Sequence, residues 1–490
     1  MTTCRKPRFE LLSLSLIGCI LNISLLAQIE MPRVQQPVPD LIHPTIIHST
    51  ERYSDSSQTK YLLLDNRIIQ KTENARLIVG AVKKHQNNPL FTEDKLWEMR
   101  FDNLYGNVLY DESEQIFKLW YSPFIIDSSS QGYSLAQRQR TYNPPDNREM
   151  GICYATSRDG IHWDKPNLGL VEYMGNKQNN IIWRGPHGAG IFQDVFESDP
   201  ERRFKTIFQG LLTSVSSDGI HWAEPTKCTG VSVAGDTHNN AFWAPTLEKY
   251  VGITRTWGDL GRQVARIESD DFVNWTREEL VLEGRSKRDQ PYAMPVFFYS
   301  GVYLGLLVVY DRKEDRAWTE LTWSPDTQNW HRISPGTPLI PNSEQELDYD
   351  YGCVYACATP IFLRDEIRLY YGASDWLHFS WRNGSLALAT LRPDGFAGYE
   401  PKRYEKPAFI TTNLFPYNNE SIQITGDVKK GGSIKVIILN EDGEQLSQAR
   451  PIIHTVTGAK ISLPDSIGVR VIRLRFELNN AKLYSFSFDN

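Results

Sequence analysis

One seven-residue phrase, Ser-x-Asp-x-x-(His/Asn)-Trp, occurs four times in this 490-residue chain. It stands at Ser157/Asp159/Trp163, Ser216/Asp218/Trp222, Ser269/Asp271/Trp275 and Ser324/Asp326/Trp330. Successive aspartates are 59, 53 and 55 residues apart, and a degenerate fifth copy around Asp394 follows 68 residues later without its Trp. Self-similarity at this spacing marks repeated supersecondary units.

Each unit reads as short strands. CYATS, LTSVSS, ARIES and ELTWS run directly into the four phrases. Further β-rich runs precede them, such as LYGNVLY and FKLWYS in the first unit and MPVFFYS and YLGLLVVYD in the fourth. Three visible strands, a turn and room for a fourth make a propeller blade, and the five aspartates predict five blades. Residues 62–82 can supply strands that close the ring. The phrase itself is expected to be structural: its Asp accepts backbone N–H groups in a tight turn, and an active site needs one copy rather than many.

All 13 tryptophans fall between Trp97 and Trp381, so the composition changes near residue 400. Beyond it, alternating runs such as SIKVIILNEDGEQL and VRVIRLRFEL predict a β-sandwich. The expected fold is therefore all-β, a five-bladed β-propeller followed by a C-terminal β-sandwich. The expected boundaries are 1–27 signal peptide, 28–60 linker or strap, 61–400 propeller and 401–490 sandwich.

The first 27 residues carry Arg5, Lys6 and Arg8 ahead of an apolar run from Leu11 to Ala27, the pattern of a secretory signal. Leu16-Ile17-Gly18-Cys19 also fits a lipobox, so a lipid anchor at Cys19 is the rival to periplasmic or secreted export. No later apolar stretch is long enough to span a membrane. The four remaining cysteines show neither a disulfide framework nor zinc spacing. The formal charge is −6 and no basic patch stands out, so nucleic acid is not an expected partner.

Carboxylates mark the openings of the predicted blades: Asp102, Asp194, Asp236, Asp289, and Asp348 with Asp350. Asp is a poor strand residue, and a ring would gather such groups at one channel mouth. Carboxylates among Trp, Tyr and His are what glycosidic cleavage uses, one protonated and one ionised. Asp102, Asp194 and Asp236 are the catalytic candidates. Asn103, His238, Arg255, Trp257, Asp289, Asp350 and His378 are the substrate-binding candidates, with Trp381 and Arg382 beside them. No ligand spacing calls for a metal or cofactor; a structural calcium stays open.

The repeat unit, the blade-opening aspartates and the tail together resemble the five-bladed propeller glycoside hydrolases of the family 43- and 32-like group, over residues 62–490. Stretches such as DGIHWDKPNLGLVEY and LATLRPDGFAGYE are similar to secreted bacterial proteins of that group. The resemblance implies a base or nucleophile at Asp102, a tuning Asp at Asp194 and a general acid on blade three. The chain departs from it twice: blade three offers Asp236 and His238 but no Glu, and Asn103 stands where those hydrolases have Pro. Asp236 is then the first choice of acid, with Asp350 or Glu346 as substitutes. The resulting expectation is a secreted, exo-acting glycoside hydrolase for plant or algal oligosaccharides. A carbohydrate-binding propeller without activity, a polysaccharide lyase using His238, Tyr292 and Arg255, and a phosphorylase on the same ring are the alternatives.

Overall fold

The computed structural model describes residues 59–128, 134–138, 142–463 and 467–489. The expected signal peptide, the Cys19 anchor and residues 28–58 of the expected strap lie outside the described residues. The described chain is all-β apart from the short turns Leu135–Arg138, Asn66–Ile68 and Pro200–Arg202.

The repeats fold as antiparallel units. The first runs Asn107–Asp111, Ile116–Tyr121, Glu149–Ser157 and Ile181–Arg184. The second is Gly190–Gln193, Phe204–Phe208, Leu212–Ser216 and Thr226–Lys227. The third is Asn240–Ala244, Lys249–Gly258, Gly261–Ser269 and Glu279–Glu283. In the fourth, Asp289–Ala293 and Val296–Tyr299 both pair Val302–Asp311, followed by Arg316–Ser324 and His331–Arg332. In the last, Cys353–Ala356 and Ile361–Phe362 pair Ile367–Ser374, followed by Gly384–Leu391. Its outer edge comes from the N-terminal side of the chain, Lys83–Lys84 and Phe91–Thr92.

First strands of successive units touch in order: Asn107–Asp111 meets Gly190–Gln193, which meets Asn240–Ala244, which meets Val296–Tyr299. A parallel bridge from Ala317 to Cys353 joins the fourth unit to the last, and Ile361–Phe362 returns to Asn107–Asp111. Asparagines staple this series. Asn107 Oδ1 accepts Ile191 N–H at 3.0 Å and Asn240 Oδ1 accepts Val296 N–H at 3.0 Å. The apolar cores lie between neighbouring sheets: Trp120 and Tyr154 pack with Phe204 and Phe208, and Val251 and Ile253 with Tyr303 and Leu307.

The repeated phrase sits between the third and fourth strand of each unit. In the first copy Ser157 Oγ accepts the N–H of Gly160, while Asp159 Oδ1 accepts those of Ile161 and His162 at 2.8 Å. Asp159 Oδ2 pairs with His162 Nδ1 at 2.7 Å. Asp218, Asp271 and Asp326 repeat this pattern. The residue after the Asp has positive φ in all four copies: 73° and 75° at Gly160 and Gly219, 62° and 67° at Phe272 and Thr327. Each turn also docks on the preceding unit. Gly219 O accepts Trp120 Nε1–H at 2.6 Å, Thr327 Oγ1 accepts Arg266 Nε–H at 2.8 Å, and Gly160 O accepts Tyr370 O–H at 2.8 Å. The phrase is a fastener between sheets.

Two expectations need correction. Asp394 does not form a fifth such turn. It is itself at φ 59° and buried, and it is held by Lys60 at 3.0 Å, Tyr299 O–H at 2.5 Å and Ser485 at 2.7 Å. The strands of residues 62–82, expected to close the ring, pair instead with the C-terminal sheet, as does Thr59–Leu62 just before them. Thr59–Leu62 lies on Val471–Asp489, Ile69–Glu73 on Ala408–Thr412, and Ala75–Val79 on Ala397–Pro401. Alternating apolar residues show that a strand buries a face, not which sheet buries it. The tail is one curled ten-stranded sheet around its own core. Its spine is the pairing of Ser421–Leu439 with Val471–Asp489, whose register breaks between Val428 and Ser433 at Gly431, φ 75°.

Candidate active site

Polar side chains from every unit converge where the chain enters the first strands. Asp102 and Asn103 precede Asn107–Asp111; His187 precedes Gly190–Gln193; Asp236 and His238 precede Asn240–Ala244. Tyr292 lies in Asp289–Ala293 and Tyr355 in Cys353–Ala356, while His378 and Arg382 occupy the connection before Gly384–Leu391.

The Asp102 corner is strained. Leu104 and Tyr105 adopt φ 62° and 44°, each costing on the order of 1–3 kcal/mol. Gly106 follows because a Cβ there would lie 2.5 Å from Cys357 Sγ. Strain of this kind persists where surroundings over-determine it, and here Arg382 does so. That guanidinium, 1% exposed, donates from Nη2 to Asp102 Oδ1 at 2.7 Å and Asn103 Oδ1 at 2.9 Å. It also donates from Nε to Ser374 Oγ at 3.2 Å and from Nη1 to His378 O. Arg100 Nη2 adds a second cation 3.4 Å from Asp102. Burial alone would raise the Asp102 carboxyl, but Arg382 and Arg100 outweigh it and hold it well below the usual carboxylate range. Asp102 is thus an ionised group, 18% exposed, held against two buried cations.

Asp236 differs, with its side chain 58% exposed. His187 Nε2 lies 3.4 Å from one carboxylate oxygen and Arg255 Nη1 3.6 Å from the other. The hydrogen bond from His187, helped by Arg255, keeps Asp236 below its ordinary value, while the charge of Asp102 pulls the other way. The two carboxylates therefore feel each other across the mouth.

The lining between them is aromatic and neutral. Asn103 Nδ2 donates to Tyr105 Oη at 2.7 Å and Tyr292 Oη at 3.3 Å. The Tyr105 ring stands 5.2 Å from His187 and 5.3 Å from His238. Burial pushes His238 down to about 3, and burial with the charge of Arg382 pushes His378 well below its ordinary value, so both imidazoles are uncharged. His378 Nδ1 meets Tyr355 Oη at 2.9 Å. Next to it, Asp315 accepts Tyr310 O–H at 2.8 Å and Phe379 N–H at 3.0 Å. Burial raises the Asp315 carboxyl.

Of the residues expected from sequence, Asp102, Asn103, Asp236, His238, Arg255 and His378 come together here, with Trp257 at the rim. Asp194, Asp289 and Asp350 do not join them. Asp194 follows its strand rather than opening it and is claimed by Lys205 at 3.0 Å and Tyr250 O–H at 2.6 Å. Asp289 pairs with Arg285 at 2.7 Å and Arg332 at 2.8 Å. Asp350 is fully buried on Lys84 at 2.6 Å and Tyr371 O–H at 3.0 Å. Glu346 is exposed. Sequence reasoning missed Arg100, Tyr105, His187, Arg262, Asp315 and Tyr355. His187 carried one usable signal: it lies in the glycine-rich stretch GPHGAG, and a Cβ on Gly188 would lie 1.8 Å from Thr237 O, so two loops must touch there.

No family model matches the chain, and no curated protein does. Among solved structures it is similar to a β-1,2-mannobiose phosphorylase from Listeria innocua in complex with β-1,2-mannobiose. That likeness has 16% identity and a TM-score of 0.44, over 64% of this chain and 96% of that one. A glycosyl hydrolase from Bacteroides ovatus matches at 13% identity and TM-score 0.45, covering 66% and 97%. A fructofuranosidase from Schwanniomyces occidentalis complexed with fructosylnystose matches at 12% and 0.41, covering 82% and 97%. What those proteins act on is said of them, and the site of this chain stands on its own residues.

Proposed function

We propose that this chain is a carbohydrate-active enzyme, a glycoside hydrolase working at the Asp102 mouth of a five-bladed β-propeller that carries a C-terminal β-sandwich. The closed succession of first strands supports the blade count, and the bend in the two long tail strands supports the sandwich. One observation carries the catalytic reading. Asp102 and Asp236 face one mouth, each held ionised by its own cationic partners, among tyrosines and uncharged histidines.

In this reading Asp102 is the base. It takes a proton from water as the water oxygen bonds to the anomeric carbon, while the bond to the leaving oxygen breaks. Neither ionised Asp can feed that oxygen. In this proposal the proton donor is Asp315, which sits against His378 and whose carboxyl burial raises. Asp236, His187 and Arg255 hold sugar hydroxyls. Residues 1–27 are removed on export in this proposal, and retention of a lipidated Cys19 is the competing outcome that mass measurement of the mature chain decides.

A panel of plant and algal oligosaccharides, assayed for new reducing ends, tests the reading. Asp102→Asn should lower kcat by about 10²–10⁴, the range for losing a positioned base. Asp315→Asn should remove the fall in rate on the alkaline side. Cleavage that survives Asp102→Asn unchanged refutes the assignment.

A further inference from the structure

Arg262 has no carboxylate partner among the described residues. It lies directly across from Trp257 in the hairpin formed by Lys249–Gly258 and Gly261–Ser269, whose turn is Asp259-Leu260. Side chains alternate along a strand, so Arg255, Trp257 and the cross-strand Arg262 share one face. That face looks toward the fourth unit. The Arg255 guanidinium lies 4.4 Å and that of Arg262 5.1 Å from the centre of the Tyr292 ring. Arg262 also stacks 5.3 Å from Tyr310 and 5.0 Å from Trp257.

The hydrogen-bond account of these two guanidiniums does not close. Arg262 donates from Nη1 to Gln290 Oε1 at 2.6 Å, and its buried Nε has no partner. Arg255 donates from Nη2 to Tyr292 O at 2.8 Å, and its Nε is also buried without one. Arg382 and Arg100 are engaged with Asp102, and Arg255 with Asp236. That leaves Arg262 as a half-buried cation beside a second cation, with donor directions unused. Such a group costs free energy until an anion with matching oxygens arrives, and a planar guanidinium suits carboxylate or sulfate oxygens. Trp257, 62% exposed, presents a flat apolar surface beside it. An aromatic face next to an unpaired cation fits an anion carried on a pyranose ring better than a free one.

The geometry points to an acidic-sugar subsite in this hairpin: Arg262, with Arg255 behind it, receives the carboxylate of a uronic acid or the sulfate ester of a sulfated sugar, while Trp257 stacks on the ring that bears it. This rests on the carbohydrate reading above and narrows its substrate class.

Calorimetric titration of the full chain with matched oligosaccharide pairs tests it: uronates against their methyl esters, sulfated against desulfated glycans, and inorganic phosphate as a separate arm. The acidic member should bind about 10- to 100-fold more tightly, the worth of one charge-assisted contact. Arg262→Gln should abolish that preference while leaving the neutral member's affinity in place, Arg262→Lys should keep part of it, and Trp257→Ala should weaken both members alike. Circular dichroism confirms that each variant folds. Equal binding of both members, or an Arg262→Gln variant that loses both equally, overturns the subsite. So does binding of phosphate with no preference among glycans. Glycans processed without charge preference overturn this inference alone, whereas no glycan bound or cleaved overturns the carbohydrate reading with it.

Discussion

Replacing Arg382 by Ala should destabilise the protein and disarm Asp102 together. The guanidinium is almost wholly buried and donates five hydrogen bonds, among them those to Asp102 Oδ1 and Asn103 Oδ1 at 2.7 and 2.9 Å. Removing one partner of a buried pair leaves the other charge uncompensated, which costs about 3–5 kcal/mol. Arg100 at 3.4 Å stays and offsets part of that, so the lower end of the range is expected. The Asp102→Asn change should cost less, because an amide needs no counter-ion, and the double variant should cost less than the sum, with a coupling of about 2–3 kcal/mol. Urea unfolding of the four proteins at neutral pH measures all of this. The pH dependence follows from the depressed Asp102 carboxyl. Its stabilisation is fully present above the unfolded carboxylate value near ~3.9 and is lost as pH falls through the folded value. Arg382→Ala raises that folded value, so the variant's loss of stability should shrink in acid. Additive costs, or an Arg382→Ala penalty under about 1 kcal/mol, would refute the view that this pair is a desolvated, mutually dependent unit.

The turn aspartates should behave in the opposite way. Asp218→Ala removes the carboxylate oxygen that accepts the backbone N–H groups of Ile220 and His221 and should cost about 1–2 kcal/mol, as helix caps do, while kcat/KM on any substrate found stays unchanged. Asp394→Ala breaks the buried contact to Lys60, Tyr299 and Ser485. It should cost about 3–5 kcal/mol and expose the junction between ring and tail to limited proteolysis, read by gel and mass measurement.

The repeated phrase made the sheet architecture legible because turn chemistry is local. Ser, Asp and the following His or Asn satisfy one another within seven residues. Strand ownership was not local. The apolar pattern of Ala75–Val79 fits any buried edge, and its partner Ala397–Pro401 lies more than three hundred residues away. The site followed the same division. Asp102 and Asp236 were visible as acidic residues ahead of strands, and so was Asp289, yet Arg332 turns Asp289 to a different role. Where the counter-charge for a carboxylate will come from depends on ring closure, as with Arg382 reaching Asp102 across 280 residues.

Net charge says little about one local site. The chain carries a formal charge of −6, but the field at one site is set mainly by charges within a Debye length, ~8 Å at physiological ionic strength. Around this mouth stand Arg100, Arg255, Arg262 and Arg382, against Asp102, Asp236, Asp315 and, beside Arg100, Asp127; of the arginines, Arg262 is the one without a carboxylate partner among the described residues. On the acidic-subsite proposal, attraction for an acidic glycan is confined to the Arg262 hairpin, while the net charge of the chain at large opposes it. Long-range steering should therefore contribute little, and the acidic preference should reside in the dissociation rate, which half-buried contacts govern. Added salt should then lower acidic-glycan affinity only weakly, because solvent screens the Arg262 contact poorly. A steep salt dependence would instead place the recognition on exposed lysines and arginines and away from this hairpin.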